Sequence, residues 1–295
     1  MSGPGRFGAV LTAMVTPFDD NGALDVDGAA SLARWLVEQG NDGLVVAGTT
    51  GEAPVLTEDE RVELIRAVTG AVTVPVIVGS TTNDTRHSVE LTKAAEAAGA
   101  TAILAMTPYY NRPSQAGIEG HFRAVAEATS LPVMLYDIPI RTGRKIAHET
   151  LLRLITGVPN IMAVKDAVLD VAASARLIAD APEDFELYSG NDDQTLALLA
   201  VGAAGTVGVA THWTAPHTAE MMRAFWKGDV DEARRINARL IESNRYESSD
   251  DAPNPLPAKA MLRVLGQPAG QCRLPMGPAP AGLEDRAREV LANLG

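Results

Sequence analysis

The sequence predicts a (β/α)₈ barrel, an α/β fold also known as the TIM barrel, followed by a C-terminal helical extension. Three observations support this prediction: short apolar segments recur at nearly even intervals, segments with helical spacing lie between them, and the alternation stops after residue 214. We therefore expect residues 1–214 to form the barrel. Residues 215–295 should contain the barrel-closing helix and the extension.

Eight apolar segments are the predicted strands. Most are continuously apolar, which is typical of parallel strands buried on both faces. They are residues 9–18, 43–48, 74–80, 102–108, 131–139, 161–167, 185–190 and 205–210. An open doubly wound sheet is the alternative, but it would usually carry a glycine-rich phosphate loop after its first strand, and VTPFDDNG is no such loop.

The intervening segments carry helix signals. Residues 57–70 open with a capping box formed by Thr57 and Glu60, and residues 84–98 begin with Asp84 as N-cap. Further helices are predicted over residues 114–128, 147–156, 170–180, 192–200, 215–227, 230–245, 256–265 and 283–293. The proline-rich stretch DDAPNPLPAK (250–259) predicts a rigid, irregular loop.

The composition disfavours several classes of protein. A net charge of −12 argues against a general affinity for nucleic acid or anionic membranes. Cys272 is the only cysteine, so neither an intrachain disulfide nor a cysteine-based zinc site is expected. The sequence shows no signal peptide or membrane span, which favours a cytoplasmic protein. It also lacks HExxH, Cys-x-x-Cys, P-loop and GxSxG motifs, and its histidines lack metal-ligand spacing, so we expect no metal and no cofactor.

Catalytic groups of such barrels lie at the carboxyl ends of the strands. Of the five lysines, Lys165 is the one that follows four apolar residues within a predicted strand. Burial lowers the pKa of an amine, and the neutral amine is the form that attacks a carbonyl. Lys165 is therefore a candidate to form a Schiff base with a keto acid, the alternative being a strand-end lysine that pairs with a carboxylate.

Three other strand ends carry groups that suit the same chemistry. Tyr136 could relay protons, or it could be an ordinary core tyrosine. The GTTGE turn (48–52) could present N–H groups and the hydroxyls of Thr49 and Thr50 to a carboxylate, or it could be only a tight turn. Arg141 could bind a second carboxylate, or it could be a surface arginine.

At these positions the sequence resembles the dihydrodipicolinate synthase/N-acetylneuraminate lyase family over nearly its whole length. The segments that carry the resemblance are GTTGE (48–52), TPYYNRPSQ (107–115), YDIPIRTG (136–143), VKDA (164–167), YSGND (188–192) and RLPMGP (273–278). The double threonine, the arginine of RTG and the PNP segment (253–255) favour the synthases over the sialic-acid lyases.

The resemblance implies a lyase of lysine and diaminopimelate biosynthesis that joins pyruvate to an aldehyde acceptor, L-aspartate-4-semialdehyde, without metal or cofactor. It implies that Lys165 forms the imine with pyruvate and that Thr49 and Thr50 hold the pyruvate carboxylate. Thr49 also links the tyrosines, of which Tyr136 relays protons and Tyr110 extends the relay from a neighbouring subunit.

The resemblance further implies that Arg141 binds the carboxylate of the aldehyde and that Gly190 and Val207 line the pyruvate pocket. The assembly it implies is a homotetramer built from two tight dimers.

Some positions depart from the family pattern. Val168, Asn191 and Ile140 replace residues that are common in the family, which affects the expected substrate preference more than the Schiff-base step. Lysine-inhibited members of the family usually carry a histidine and a glutamate in the allosteric pocket, and the matching positions in this sequence are Glu58 and His87. We therefore expect weak or absent feedback by lysine.

Three alternative functions stay open at this point. One is a pyruvate-dependent aldolase that acts on a sugar acid or hydroxy-keto acid. The others are a catalytically inactive binding barrel and a metal-dependent barrel hydrolase. The set of Lys165, Tyr136, Thr49 and Tyr110 argues against the inactive barrel, and the missing ligand clusters argue against the hydrolase.

Overall fold

The eight predicted strands close into one parallel barrel. The structure is a computed structural model that describes residues 3–294 of the chain. The strands follow chain order around the barrel, and β8 pairs with β1 to close it, which confirms the predicted fold class. Each strand lies within its predicted segment: β1 (Val10–Ala13), β2 (Gly43–Val46), β3 (Val76–Gly79), β4 (Ala102–Met106), β5 (Val133–Asp137), β6 (Ile161–Asp166), β7 (Glu186–Ser189) and β8 (Gly205–Gly208).

Helices connect successive strands and cover the outside of the barrel. They are α1 (Val26–Glu38), α2 (Glu58–Ala71), α3 (Thr85–Ala97), α4 (Gln115–Glu127), α5 (Pro139–Thr142), α6 (His148–Gly157), α7 (Val171–Asp180), α8 (Thr195–Ala200) and α9 (Thr211–Trp226). The predicted capping box is confirmed, since the Thr57 hydroxyl accepts the Glu60 N–H at 3.2 Å and the Glu60 carboxylate accepts the Thr57 N–H at 2.9 Å. Helix α1 and the single turn of α5 were not individually predicted.

Alternation along each strand separates the barrel interior from the layer under the helices. On β6, Ala163 belongs to the interior apolar cluster and Val164 to the outer one. Lys165 follows with the parity of Ala163, and Ala167 just beyond the strand returns to the interior cluster. The side chain of Lys165 is therefore directed into the barrel.

Tyr188 on β7 fills the barrel interior toward the amino ends of the strands. Its hydroxyl donates to the Glu186 carboxylate at 2.9 Å and accepts the Phe7 N–H at 3.2 Å. A Cβ on Gly205 would lie 2.8 Å from the Tyr188 ring, so glycine at this position lets β8 approach the ring. With this end of the barrel filled, a ligand enters from the carboxyl ends of the strands.

The C-terminal region contains α10 (Val230–Tyr246), α11 (Leu256–Val264) and α12 (Leu283–Leu294). Helix α10 packs along α9, where the Trp213 indole donates to the Ser243 hydroxyl at 3.0 Å. The expected division of the chain at residue 214 stays a prediction, and α9 runs through that residue. The irregular loop predicted over residues 250–259 is shorter than expected, because α11 begins at Leu256.

Within residues 3–294, no helix combines the length and the apolar character that a membrane crossing requires. The same residues bring together no group of three histidine, cysteine, aspartate or glutamate side chains that could hold a metal ion. The expectation of a reaction without metal or cofactor stays a prediction.

Candidate active site

Lys165 lies at the interior end of β6 and is 4% exposed. Its Nζ atom is 4.6 Å from the centre of the Tyr136 ring, and the two residues are partners in the β5–β6 register. Burial lowers the pKa of Lys165 from 10.5 to about 8, while the negative charges of Asp192 and Glu247 oppose the shift. At such a pKa roughly a tenth of the amine is neutral at pH 7, against about one in 3,000 for an ordinary lysine.

A second buried lysine, Lys259 on α11, was not singled out in the sequence. It is fully buried, but its Nζ lies 2.6 Å from the Glu52 carboxylate and donates to the Gln271 carbonyl at 3.0 Å. Lys165 forms no salt bridge with any residue between 3 and 294. Of the two buried lysines, Lys165 is therefore the one whose amine is free to react. The apolar neighbours of Lys259 in LPAKAML were the signal that could have revealed its burial.

Tyr136 belongs to the apolar cluster inside the barrel and is 5% exposed. Burial raises the pKa of its phenol to about 12, with a partial offset from the charge of Arg141 and the hydroxyl of Thr49. The phenol therefore stays protonated at neutral pH and can donate a hydrogen bond to a reacting oxygen.

A cavity of about 170 Å³ opens beside Tyr136 at the carboxyl ends of the strands. Thr49, Tyr136 and Arg141, three of the predicted site residues, line it. Arg141 lies in the single turn of α5, is exposed, and has no carboxylate partner among the described residues. Its guanidinium is thus free to bind an anionic ligand in the cavity.

The turn at residues 48–52 presents backbone donors at the same edge of the barrel. Glu52 adopts the left-handed conformation (φ 52°), and its N–H donates to the Thr49 carbonyl at 3.1 Å. Within the described part of the chain, no acceptor pairs with the backbone N–H groups of Thr49, Thr50 or Gly51. Three adjacent free N–H groups in a tight turn form a concave site that suits a carboxylate.

The C-terminal region fixes the side chain of Thr50, which is 3% exposed. The Thr50 hydroxyl oxygen accepts a hydrogen bond from the amide nitrogen of Asn254 at 2.9 Å. Because the oxygen is used as an acceptor, the hydroxyl proton remains available for a ligand. The PNP segment (253–255) therefore holds a side chain of the turn at residues 48–52, although the two segments are distant in the sequence.

Gly190 and Val207 lie at the ends of β7 and β8. Val207 is fully buried in the interior cluster. A Cβ on Gly190 would come 2.9 Å from the side chain of Ala167, which follows β6, so the ends of β6 and β7 approach this closely only with glycine at residue 190. The Gly190 N–H donates to the Asp166 carbonyl at 2.7 Å and is not available to a ligand.

Tyr110 is the predicted site residue that the single chain does not bring to the site. Its side chain is 89% exposed, whereas the preceding Tyr109 lines the cavity. Tyr110 has φ 71° and Arg112 has φ 48°, both in the left-handed region that costs non-glycine residues about 1 kcal/mol or more. The loop thus holds a large aromatic side chain away from its own barrel.

Arg61 on α2 also lines the cavity and was missed in the sequence, where it looks like a surface helix residue. It is 9% exposed, and burial lowers its pKa. Its guanidinium donates to the backbone carbonyls of Ala53 and Gly79 rather than to a carboxylate. A buried cation therefore lies beside Tyr109 in this cavity.

Known proteins resemble this chain over almost its full length. Residues 6–293 match the Dihydrodipicolinate synthetase family. A 4-hydroxy-tetrahydrodipicolinate synthase of Acidothermus cellulolyticus is 50% identical over 294 residues, which cover 99% of this chain and 94% of that protein.

Solved structures agree with these sequence matches. A dihydrodipicolinate synthase of Cyanidioschyzon merolae with lysine bound has a TM-score of 0.95 and 42% identity, and the match covers 99% of both chains. A dihydrodipicolinate synthase of Bacillus anthracis has a TM-score of 0.94 and 41% identity, with 98% of both chains covered.

Proposed function

Because the chain belongs to the dihydrodipicolinate synthetase family, we propose that it catalyses the reaction of a 4-hydroxy-tetrahydrodipicolinate synthase, the condensation of pyruvate with L-aspartate-4-semialdehyde. This is a lyase of lysine and diaminopimelate biosynthesis. The observation that carries the proposal is a buried lysine without a salt bridge among the described residues, Lys165, beside the protonated phenol of Tyr136. Free donors for two carboxylates lie at the same edge of the barrel.

Imine formation is the first step. The neutral amine of Lys165 attacks the keto carbon of pyruvate while the N–H groups of the turn and the hydroxyls of Thr49 and Thr50 hold the pyruvate carboxylate. Tyr136 passes a proton to the keto oxygen, and the carbinolamine loses one water to give the protonated imine. Gly190 and Val207 border the pocket in which pyruvate lies.

Carbon–carbon bond formation follows. The positive imine draws electrons from the pyruvate methyl group, which loses a proton to give an enamine. The enamine carbon attacks the aldehyde, whose oxygen takes up a proton and becomes the hydroxyl. The amine of the semialdehyde then attacks the imine carbon and displaces Lys165, which closes the ring and frees the enzyme. Arg141 orients the aldehyde through its carboxylate.

The exposed Tyr110 supports the assembly that the family resemblance implies. An aromatic side chain that is 89% exposed and held by left-handed backbone is costly in an isolated chain. In a homotetramer of two tight dimers, Tyr110 would enter the neighbouring site and extend the proton relay from Tyr136. A cytoplasmic location is part of the same proposal.

The test of the function is a comparison of substrates. We expect turnover of pyruvate with L-aspartate-4-semialdehyde and no comparable retro-aldol cleavage of sugar acids or hydroxy-keto acids. If the protein prefers sugar acids or hydroxy-keto acids, its function is that of an aldolase and not that of a synthase. Loss of activity on treatment with a chelator would contradict a metal-free reaction.

Arg141→Ala should raise the KM for the semialdehyde about tenfold or more, because a charge-assisted pair contributes about 1.5–3 kcal/mol. Steady-state kinetics with each substrate varied in turn would measure this. The KM for pyruvate should change little, and Arg34→Ala, an exposed arginine on α1, is the matched control. A larger increase in the KM for pyruvate than in the KM for the aldehyde would show that Arg141 binds the carboxylate of pyruvate instead.

Weak or absent feedback by lysine stays a prediction. Glu58 and His87 already pair with each other, with His87 Nε2 3.5 Å from the Glu58 carboxylate. Tyr109 shares its cavity with the cationic Arg61, and no carboxylate lines that cavity, so an ammonium group is disfavoured there. Steady-state rates with and without lysine at physiological concentration should agree, and marked inhibition would show the expectation to be wrong.

A further inference from the structure

Two carboxyl side chains without a role in the steps above lie beyond the ends of β7 and β8, and β7 pairs with the strand that carries Lys165. Asp192 lies in the short turn after β7, and Glu247 directly follows α10. Asp192 Oδ2 accepts the Val209 N–H at 2.7 Å, and Glu247 Oε2 accepts the Ala210 N–H at 3.0 Å. Asp192 is buried and Glu247 is half-buried, and their carboxyl groups lie within hydrogen-bonding reach of each other.

The backbone around these carboxyl groups is shaped to hold a negative charge. A Cβ on Gly208 would lie 2.3 Å from Asp192 Oδ1, so glycine is required for β8 to pass the carboxyl group. The two donating N–H groups, of Val209 and Ala210, come directly before the 16-residue helix α9. Such donors at a helix start, together with the helix dipole, stabilise an anion.

Burial raises the pKa of both Asp192 and Glu247, and the nearby Asp193 raises that of Glu247 further. Two carboxyl groups in contact and shielded from water cannot both ionise at low cost, which favours one shared proton and a single negative charge on the pair. Lys165 is the cation that interacts with it, and Arg141 is the other cation near Lys165.

We infer that Asp192 and Glu247 form a positioning pair that holds one shared negative charge beside Lys165 and balances the positive charge of the pyruvate imine. The inference rests on the proposed Schiff-base function and adds two residues to it. Pyruvate converts Lys165 into a permanently charged iminium group inside an apolar barrel, where an unbalanced cation is costly. The pair supplies the balancing charge without itself touching the substrate.

The test compares variants that keep one negative charge on the pair with a variant that keeps none. In Asp192→Asn or Glu247→Gln, the remaining carboxyl group ionises alone, so each single variant keeps one negative charge. The double variant D192N/E247Q has almost the same shape but no charge. The measurement is the pH dependence of borohydride trapping of the pyruvate adduct, with Glu242→Gln, an exposed carboxylate on α10, as the control.

The two single variants and the control should trap pyruvate with a pH midpoint close to that of the wild type. In the double variant the midpoint should fall by about one pH unit, because the charge that favours the ammonium form is lost. The pyruvate concentration for half-maximal trapping should rise several-fold, because the iminium is no longer balanced. An unchanged midpoint in the folded double variant, or an equal shift in either single variant, would overturn the inference.

Infrared spectroscopy keeps the inference testable if the double variant does not fold. The difference spectrum between the wild type and each single variant at pH 7 should show the band of one protonated carboxyl, whereas Asp137, whose pKa burial raises to about 7, contributes equally to both proteins and cancels. If neither difference spectrum shows the band, the pair shares no proton. A wild-type protein that traps no pyruvate would instead contradict the proposed function, which separates the two failures.

Discussion

Lys165→Arg is expected to lower kcat by at least about a thousandfold, since removal of a catalytic nucleophile has effects of this size or larger. Arginine keeps the positive charge, but its guanidinium does not deprotonate in proteins and cannot form the imine. Borohydride reduction in the presence of pyruvate, followed by mass mapping of peptides, should place the adduct of the wild-type protein on Lys165 and find none in the variant.

The control for this experiment is Lys145→Arg, a change at an exposed lysine. It should retain both the adduct and the turnover. Lys259 offers an internal comparison, because it is equally buried but paired with Glu52 and should carry no adduct. Full trapping by Lys165→Arg would show that the imine forms elsewhere and that the mechanism is wrong.

Lys259→Met is expected to lower the free energy of unfolding by about 3–5 kcal/mol, because it leaves the carboxylate of Glu52 buried without a counter-ion. The side chains of both residues are 1% exposed, and the pair joins α11 to the turn at residues 48–52. The Nζ of Lys259 also lies 4.1 Å from the centre of the Phe18 ring, so the methionine keeps much of the packing. Urea unfolding followed by circular dichroism would measure the change.

The double variant Lys259→Met/Glu52→Gln also removes the buried negative charge of Glu52 and should recover a large part of the lost free energy of unfolding. Arg288→Met breaks an exposed ion pair with Asp285 on α12 and should change the stability by less than about 1 kcal/mol. If Lys259→Met were as mild as Arg288→Met, the buried pair would not be holding the turn in place.

The positions of the strands and most helices could be predicted from the sequence because their signals are local. Continuous apolar runs mark most of the strands, and side chains next to the first turn, such as Thr57 and Asp84, mark helix starts. Helix α5 was not predicted, because a single turn of helix is too short to show a helical periodicity of apolar residues. The loop predicted over residues 250–259 overlapped the helix predicted over residues 256–265, and the helix prediction is confirmed because α11 begins at Leu256.

The membership of the candidate site was also predictable to a large extent. Closed barrels bring the carboxyl ends of all strands to one edge, so residues far apart in sequence, such as Thr49, Tyr136 and Lys165, were expected together. The structure places these three close to one another. Tyr110 was expected at the site through a neighbouring subunit, and the single chain leaves it exposed.

By itself, the sequence determined the order of the elements, the fold class and the chemical types of the groups at the strand ends. Only the tertiary structure decided which of those groups have partners. Asn254 reaches Thr50 across 204 residues, Lys259 forms a salt bridge with Glu52, and Lys165 forms no salt bridge within the described residues. The physical reason is that reactivity depends on burial and on the nearest opposite charge, and both are set by contacts between distant segments rather than by local pattern.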